Sequence, residues 1–563
     1  MPRLIERLIE RIPLPFRVLH RQFLLRVVDL EALSIEADVP RFLGQFAGIL
    51  IMISCMRAIG TLFFPPPPSM AWATEESALA NMLLVVGLIA VVTWDATFPD
   101  RRDVLALGHL PVRPRTILLA KVSATAALLG LAMGTLNFAS GCSWALVLGG
   151  GSLIRSARFF ASFWCTIVAA TIFLYGAVLT LQGVAALVLP RRLFLKFSAA
   201  TQLAAFALFM ATYFLEPTLS GTGEFADPAN HALLVGSPVY WFAALLNQLN
   251  GTLPSEESWL AARAWIGLGI ALAGASASLT LCYVRTMKKT VEEPDLVPGA
   301  AGFHWSPRLG GSLRTAILYF SGRSLLRSRQ HRVILAFYWS LALAIALSCL
   351  RGEMATPGTI STDFLTSSFV IMAIAVFGLR NVCALPISLN ANWVLRVTQL
   401  RAPERYFAGT RSLLLLAGVL PAWLVAVLLG VRLRPPAQVA AHLGILLVVG
   451  AILVEVALLK FEKVPFTCSY LPGKANVQVV FWGAIFVISM LAITAALYEQ
   501  KVLYDLQHDI AMFAALVAVE MVLWTVNRKR ARSAELYFEE VAPEVITTLG
   551  LADGMRYASR AEE

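Results

Sequence analysis

The sequence has few charged residues for its length. Only 14% of its 563 residues are charged, whereas soluble domains have about 25%. Hydrophobic residues make up 58% of the chain, and the mean hydropathy is +0.71. This composition excludes an ordinary water-soluble enzyme and is typical of a protein that lies largely within a membrane.

Residues and motifs for metal, redox or nucleotide chemistry are equally sparse. The chain has seven Cys and seven His, and none of them has the short spacing of a zinc site or a disulfide framework. The phosphate-binding pattern Gly-x-x-x-x-Gly-Lys-Ser/Thr is missing, and the nearest string, at 471–475, lacks the first Gly and the Ser/Thr. We therefore expect no catalytic residues, no metal site and no cofactor bound by this chain.

Long apolar runs dominate the sequence instead. About 20 apolar residues cross a bilayer as a helix, and twelve runs approach or exceed that length. They lie at 42–64, 78–94, 120–148, 158–189, 193–215, 259–285, 333–350, 364–380, 411–431, 439–460, 477–498 and 510–527. The sequence thus predicts an all-α polytopic membrane protein with about twelve transmembrane helices.

The twelve runs form two sets of six. The segment between them, 286–332, is polar and contains prolines and adjacent glycines, which mark a linker. Because six spans return the chain to its starting side, the two halves are predicted to be parallel repeats. The predicted domains are an N-terminal segment 1–41, a first half 42–285, the linker 286–332, a second half 333–527 and a C-terminal tail 528–563.

Each set of six is preceded by an amphipathic segment. In 1–41 and again in 314–332, apolar residues recur at helical spacing among arginines. This pattern indicates helices that lie in the membrane interface. For 1–41 the alternative is a solvated helix that packs on the cytoplasmic face of the protein itself.

Basic residues are distributed by membrane side. Of the 46 Lys and Arg, 38 lie in segments on the side of the N-terminus, and the loops 65–77 and 216–258 contain none. The positive-inside rule places both termini in the cytoplasm, so the net charge of +11 reflects topology and not nucleic-acid binding. Tyr240, Trp241 and Phe242 in the second external loop are predicted to form an interfacial or re-entrant aromatic anchor.

The first predicted cytoplasmic loop combines a charge cluster, a short Leu-rich stretch and a proline. Its residues, in order, include Asp100, Arg101, Arg102, Asp103, Leu110, Pro111, Arg113 and Lys121. Over 98–121 this order resembles the loop after the second span in permeases of the type-2 ABC exporter class. The resemblance implies a subunit of the bacterial inner membrane that exports an unidentified substrate, using ATP hydrolysed by a separate, dimeric ATPase.

Such a loop has a mechanical purpose in a transporter powered by a separate ATPase. Residues 103–110 would seat the face of Val104 and Leu107 in a groove of the ATPase, with charged pairs at the rim. Pro111 would then end the helix and turn the chain back toward the membrane. The alternative is a loop that only fixes topology, in which the Asp and Arg residues neutralise one another.

The second half contains a partial echo of this loop. Leu385 and Pro386 also follow a second span, but no acidic cluster precedes them. Asn390, Asn392 and Trp393 come next in the sequence. These residues are the predicted equivalent of the coupling loop, and either the halves bind an ATPase differently or the second half is degenerate.

A few ionisable residues fall within the predicted spans. Arg57, His442, Glu455 and Glu520 qualify by position. Charges within a bilayer are costly, so they are hypotheses for a polar pathway through the membrane. The alternative is that each reaches the interface or makes a hydrogen bond between helices.

Two other classes of function compete with the exporter. A secondary carrier of the twelve-span facilitator class shares the six-plus-six topology. Its pattern Gly-x-x-x-Asp-Arg-x-Gly-Arg-Arg, however, is not met around Asp100 and Arg101. A membrane-embedded enzyme is the third class, and the sequence lacks the HExxH, GxSxG and paired-Asp motifs that such enzymes use.

Overall fold

The computed structural model is almost entirely helical. It describes residues 13–28, 39–67, 71–93, 97, 107, 110–149, 152–215, 225, 227–292, 311–351, 360–387, 392, 403–430, 436–459, 464–468, 477–503, 506–533 and 536–538. In the first half the helices are α1 Leu14–Val28, α2 Val39–Phe63, α3 Ala71–Val92, α4 Pro114–Leu148, α5 Leu153–Val188, α6 Arg191–Leu215, α7 His231–Gly236, α8 Pro238–Asn250 and α9 Ser258–Glu292.

The second half continues in the same way. Its helices are α10 Ser312–Arg327, α11 Arg329–Arg351, α12 Thr362–Cys383, α13 Pro403–Leu414, α14 Leu420–Gly430, α15 Pro436–Leu458, α16 Val477–Val502 and α17 Leu506–Ser533. A π-helical turn, Leu415–Val419, joins α13 to α14 without a break, so the two form one span.

Each of the twelve apolar runs falls on a helix, and the predicted all-α polytopic membrane protein is confirmed. Among the described residues, nine helices are long and apolar enough to cross a membrane. The apolar stretches of α6 and α11 are shorter, Ala200–Met210 and His331–Ala346, and α16 belongs to neither group. The total of twelve spans therefore stays a prediction.

Several helix boundaries follow from local sequence. Proline occupies the first helical position of α4, α8 and α15, where its missing N–H costs no hydrogen bond. The Ser361 hydroxyl caps α12 by accepting hydrogen bonds from the backbone N–H groups of Asp363 and Phe364. Gly251 ends α8 with a φ of +77°, a conformation that L side chains avoid.

Large apolar side chains cover the outside of the bundle. Phe138, Ile270, Leu428, Phe486 and Met521 lie within the long helices and are each more than half exposed. Soluble proteins rarely expose contiguous apolar patches of this kind, because water solvates them poorly. Lipid is the solvent that fits this surface.

Among the described residues, the most extensive contact between two helices joins α5 to α9. A Cβ on Gly176 would meet the backbone of Ala271, and one on Gly183 would overlap the side chain of Ser278. The Thr180 hydroxyl donates to the Gly176 carbonyl and approaches the Ala271 carbonyl. Small residues at these positions let the two backbones approach, as is usual between helices in membranes.

The two halves pack in related but unequal ways. In the first half α1 packs on α4, α3 contacts α4, α5 and α6, and α5 packs on α9. In the second half α10 packs on α13, α12 contacts α14, α15 and α16, and α15 packs on α17. The first spans differ, because α2 packs on α4 whereas α11 packs on α12. The halves meet where α6 packs on α11, with Phe206 and Phe337 in edge-to-face contact at 5.4 Å.

The helices alternate in direction and define two ends of the bundle. One end holds α1, α10 and the Leu110–Pro111 and Leu385–Pro386 turns, and we call it the basic end. The opposite end holds α7 and α8, which with the preceding turn form a pair bent by 89°. Tyr240 and Phe242 of α8 are fully buried, and the Trp241 indole N–H donates to the Leu234 carbonyl. The predicted aromatic anchor thus lies in a bent helix pair and packs inside the protein.

Candidate functional site

The predicted coupling loop of the first half is only partly described. Asp100, Arg101, Arg102 and Asp103 lie outside the described residues. Leu110, Pro111 and Arg113 are exposed at the basic end, immediately before α4 begins. The Val112 N–H donates to the Leu110 carbonyl at 2.7 Å, which makes the turn tight.

Lys121 and Leu107 pack against α1, whereas Val104 lies outside the described residues. Lys121 is buried, and its Nζ lies 5.3 Å from the centroid of the Phe23 ring, a cation–π contact between α4 and α1. Leu107 and Val112 pack into the same cluster, beside Ile117. Leu107 therefore contacts this chain's own amphipathic helix, and does not present the free face that we expected for a partner. Helix α1 therefore packs on the protein itself, as in the alternative interpretation of segment 1–41.

The Leu-Pro turn of the second half is held by hydrogen bonds. The Leu385 carbonyl accepts from His331 Nε2 at 3.2 Å, so Nδ1 of a neutral His331 accepts from the Ser328 hydroxyl at 2.6 Å. Burial lowers the pKa of His331, which lies just before the predicted span, although its bond to Leu385 opposes this shift. His331 is therefore neutral at physiological pH and acts as a fixed link between α11 and the turn.

A neighbouring loop, 464–468, closes this turn from the other side. The Phe466 N–H donates to the Cys383 carbonyl at 2.8 Å, and the Ile387 N–H donates to the Phe466 carbonyl at 3.1 Å. The buried Asn392 side chain donates to the Thr467 carbonyl at 2.6 Å. Asn390 and Trp393 lie outside the described residues.

An open groove lies beside the second turn. It has a volume of about 660 Å³, and α10 supplies most of its wall. The groove is lined by Ala316, Tyr319, Phe320, Arg323, Ser324, Arg327, Ser328 and Ile387. Apolar side chains and two arginines thus share one cleft at the basic end.

Arg57 of α2 is half-buried and contacts neighbouring helices. One guanidinium nitrogen donates to the Ser77 hydroxyl at 3.4 Å, and its Cζ lies 5.4 Å from the centroid of the Trp144 ring. These contacts agree with the alternative in which the charge is satisfied between helices.

Glu455 and Glu520 meet across the second half, which the sequence did not predict. Arg411 of α13 forms an ion pair with Glu455 of α15, and its second nitrogen lies 2.9 Å from Oε1 of Glu520 on α17. The Asn527 side chain donates to the other Glu455 oxygen at 2.7 Å. Glu455 is 1% exposed and Arg411 27% exposed, so one arginine connects two carboxylates on separate helices.

His442 belongs to a second buried chain of polar groups. Its Nδ1 lies 2.8 Å from Glu499 Oε1, and its Nε2 lies 2.7 Å from the Ser368 hydroxyl. Phe364 and Phe369 pack edge-on against the imidazole. Ser368, His442 and Glu499 are arranged like a nucleophile, a base and an acid, but all three side chains are buried. This burial argues against attack on a substrate, because the Ser368 hydroxyl is not accessible from the surface.

Glu499 and Ser368, the partners of His442, were not identified from the sequence. Another group of buried polar residues, which lies at the start of α3, was also not identified. Glu75 and Glu76 of α3 are buried and accept hydrogen bonds from Asn247 and Tyr240 of α8. Glu75, Glu76 and Glu499 fall just outside the predicted spans 78–94 and 477–498, so they were not among the ionisable residues identified within spans. Charged residues next to a span end are the signal that could have identified them.

Within the described part of the chain, no group of three or more His, Cys, Asp or Glu residues could hold a metal ion.

Comparison with known proteins adds no assignment. No protein-family model, curated protein or solved structure matches this chain. The arguments for function therefore rest on the geometry of its own residues.

Proposed function

We propose that this chain is the membrane subunit of an ATP-driven exporter, with two fused six-span halves and a separate ATPase as its partner. It would reside in a bacterial inner membrane with both termini in the cytoplasm. The observation that carries the proposal is the pairing, in each half, of an amphipathic helix with a Leu-Pro turn at the same end of the bundle.

The packing of the halves supports the proposed repeat. The amphipathic helix contacts the third span in both halves, as α1 on α4 and α10 on α13. The second span contacts the third, fourth and fifth in both, and the fourth contacts the sixth. The different position of the first spans, α2 and α11, is the main departure from a repeat. Two halves that shared an origin and later diverged would keep this pattern.

Rigid attachment of both Leu-Pro turns supports the mechanical role. An ATPase moves a membrane subunit only if its docking segment transmits force to the spans. The first turn is joined to α1 and α4 by the cluster around Phe23 and Lys121. The second is joined to α11 by His331. A push on either turn would thus reach the helices through these contacts.

The ATPase is proposed to dock differently on the two halves. On the first half it would contact the charged segment 100–103 and the exposed Leu110, because Leu107 packs on this chain. On the second half the groove beside Ile387 would receive it, with Arg323 and Arg327 as the basic rim. This asymmetry agrees with the lack of an acidic cluster before Pro386.

Copurification of the ATPase with this chain tests the proposal. We expect the double variants D100K/D103K and R323E/R327E to weaken assembly and to lower stimulated ATP turnover, more at low salt, where screening is weak. Single exposed pairs are worth under about 1 kcal/mol, so double variants are the fair test. The control is Arg155→Glu, an exposed arginine at the opposite end.

The exporter proposal would fail if no ATPase copurified with the wild-type chain under gentle solubilisation. It would also fail if Arg155→Glu impaired assembly as much as R323E/R327E did. In that case the loss would reflect net charge and not a docking surface.

A secondary carrier is the alternative, and the buried His442–Glu499–Ser368 chain is the observation that favours it. A titratable pair enclosed between three helices can couple proton binding to a change in helix packing. The two functions can be separated by measuring which compounds are released by cells that contain this chain and by cells that lack it. The release is then measured after ATP depletion and after addition of a protonophore. Export that stops on ATP depletion supports the exporter. Export that stops with a protonophore while ATP is held constant, and that Glu499→Gln abolishes, supports the carrier.

A further inference from the structure

A second cavity lies at the basic end of the second half, and its described lining includes no residue of either Leu-Pro turn. It has a volume of about 720 Å³ and lies where α10, the start of α13 and the ends of α15 and α17 converge. Its charged lining residues are Arg314, Arg405, Arg411, Arg528, Arg530, Glu404 and Glu455. Five arginines thus face two glutamates among the described residues of one cavity.

Of the charged contacts among the described residues, none pairs a carboxylate with Arg314, Arg405 or Arg528. Arg411 is neutralised by Glu455 and Glu520 at the floor of the cavity. The guanidinium of Arg314 donates twice to the Ser412 hydroxyl, at 2.9 and 2.6 Å, and that acceptor carries no charge. Glu404 lies at the rim, 3.3 Å from Arg532. The walls therefore keep a positive potential that an anion would relieve.

The walls also include apolar surface that continues toward the membrane. Phe407, Leu458 and Trp524 line the cavity between the arginines. On α17, Val522 and Val526 are exposed beside Trp524, and the apolar stretch of this helix is not buried in the protein. The Arg528 guanidinium lies 5.3 Å from the centroid of the Trp524 ring, at the point where the charged wall meets the lipid-facing surface.

This arrangement fits a molecule with an anionic head and apolar chains. Guanidinium groups bind phosphate oxygens through paired hydrogen bonds. Basic pockets between helices at the cytoplasmic side of a membrane are where anionic headgroups are held. We propose that this cavity binds the phosphate headgroup of an anionic phospholipid, whose acyl chains lie along α17. The proposal is independent of the exporter function.

The lipid would also strengthen the junction of the four elements around it. Its phosphate would lie between Arg314 on α10, Arg405 on α13 and Arg528 on α17. Within the protein, Arg411 and Asn527 already join α13, α15 and α17 at the floor, and Arg314 joins α10 to Ser412 of α13. Anionic lipid should therefore raise the thermal stability of the protein, since a ligand stabilises the state that binds it.

The test uses the purified, delipidated full chain. Its unfolding temperature is measured with phosphatidylglycerol or phosphatidylcholine, each mixed into detergent micelles, and with inorganic phosphate alone. We expect phosphatidylglycerol to raise the unfolding temperature above that in phosphatidylcholine, and added salt to reduce the difference. The variant R405Q/R528Q should weaken phosphatidylglycerol binding about tenfold, because two charge-assisted contacts are lost.

A matched variant removes two exposed charges at the opposite end, R155Q/K501Q, and should bind like the wild type. Equal stabilisation by both lipids would overturn the proposal. Equal stabilisation by inorganic phosphate would assign the cavity to a soluble phosphate compound and overturn the lipid assignment. If R405Q/R528Q does not fold, Arg405→Lys replaces it, because Lys keeps the charge but cannot form paired hydrogen bonds with phosphate. We expect this variant to bind phosphatidylglycerol more weakly than the wild type. Wild-type binding with an undiminished salt effect would contradict paired phosphate contacts.

Discussion

The side chain of Arg411 on α13 forms an ion pair with Glu455 on α15, although 44 residues separate them in sequence. The same guanidinium reaches Glu520 on α17. Asn527 adds two hydrogen bonds to Glu455, one to its carboxylate and one to its backbone carbonyl. Three helices that present mostly apolar surface to their surroundings are thus joined by one polar cluster.

Removal of the two carboxylates from this cluster should have unequal effects. Loss of one partner of a fully buried pair costs about 3–5 kcal/mol. Arg411 keeps Glu520 and is partly exposed, so we expect Glu455→Gln to cost about 2 kcal/mol, with Glu520→Gln below about 1 kcal/mol. Denaturant unfolding in detergent gives both values. The triple variant R411M/E455M/E520M, which leaves no charge of this cluster unpaired, should be more stable than Arg411→Met, which leaves both carboxylates without their arginine. A triple variant that is less stable than Arg411→Met would contradict the ion-pair account.

The hydrogen bond between Glu499 and His442 should depend on an acceptor at position 499 and not on its charge. Glu499→Gln keeps an oxygen near His442 Nδ1, whereas Glu499→Leu leaves that nitrogen buried without a partner. An unsatisfied buried group costs about 1–3 kcal/mol, so Glu499→Leu should be less stable than Glu499→Gln by that amount. Thermal unfolding of the two variants measures the difference. Equal stability would mean that the two side chains do not interact.

The contact between α5 and α9 should be sensitive to a single methyl group. A Cβ at Gly183 would overlap the Ser278 side chain and lie 3.3 Å from its Cα, so the helices would have to separate. We expect Gly183→Ala to destabilise the protein by about 1–3 kcal/mol, the usual cost of overpacking. Gly134→Ala is the control, because nothing lies within 4 Å of its added Cβ. A neutral Gly183→Ala would show that the helices are farther apart.

His331 should make the second Leu-Pro turn sensitive to pH. Because burial lowers the pKa of His331 in the folded state, the unfolded chain binds a proton first as the pH falls. Stability from this residue is present above about pH 6.5 and is lost below it. Unfolding temperatures between pH 8 and pH 5 should therefore fall more steeply for the wild type than for His331→Phe. His508→Phe, an exposed position, should follow the wild type.

Topology has a direct measurement. A reporter fused after Glu563 should be active as a cytoplasmic protein, and one inserted near Gly223 as an external protein, because the predicted topology puts 38 of the 46 basic residues on the side of the termini. A cytoplasmic signal at Gly223 would contradict the assignment of six spans to each half.

The sequence by itself determined the class of fold and the positions of the helices. Twenty apolar residues without charge must satisfy their backbone groups internally in lipid, so each run forms a helix whatever surrounds it. Prolines 114, 238 and 436 then fix where helices begin, again by local chemistry. For this reason all twelve predicted runs fall on helices.

Only the tertiary structure decided which polar residues meet. Arg57, His442, Glu455 and Glu520 were identified singly, since a charge within a span is conspicuous. Their partners, Arg411 and Glu499, were not assigned as site residues, because contacts across 44 and 57 residues depend on how helices rotate and pack. The same holds for Leu107 and Lys121, whose spacing suits a docking segment but whose side chains pack against α1. Hydrophobic periodicity places a residue on a helix face, and packing alone determines what that face contacts.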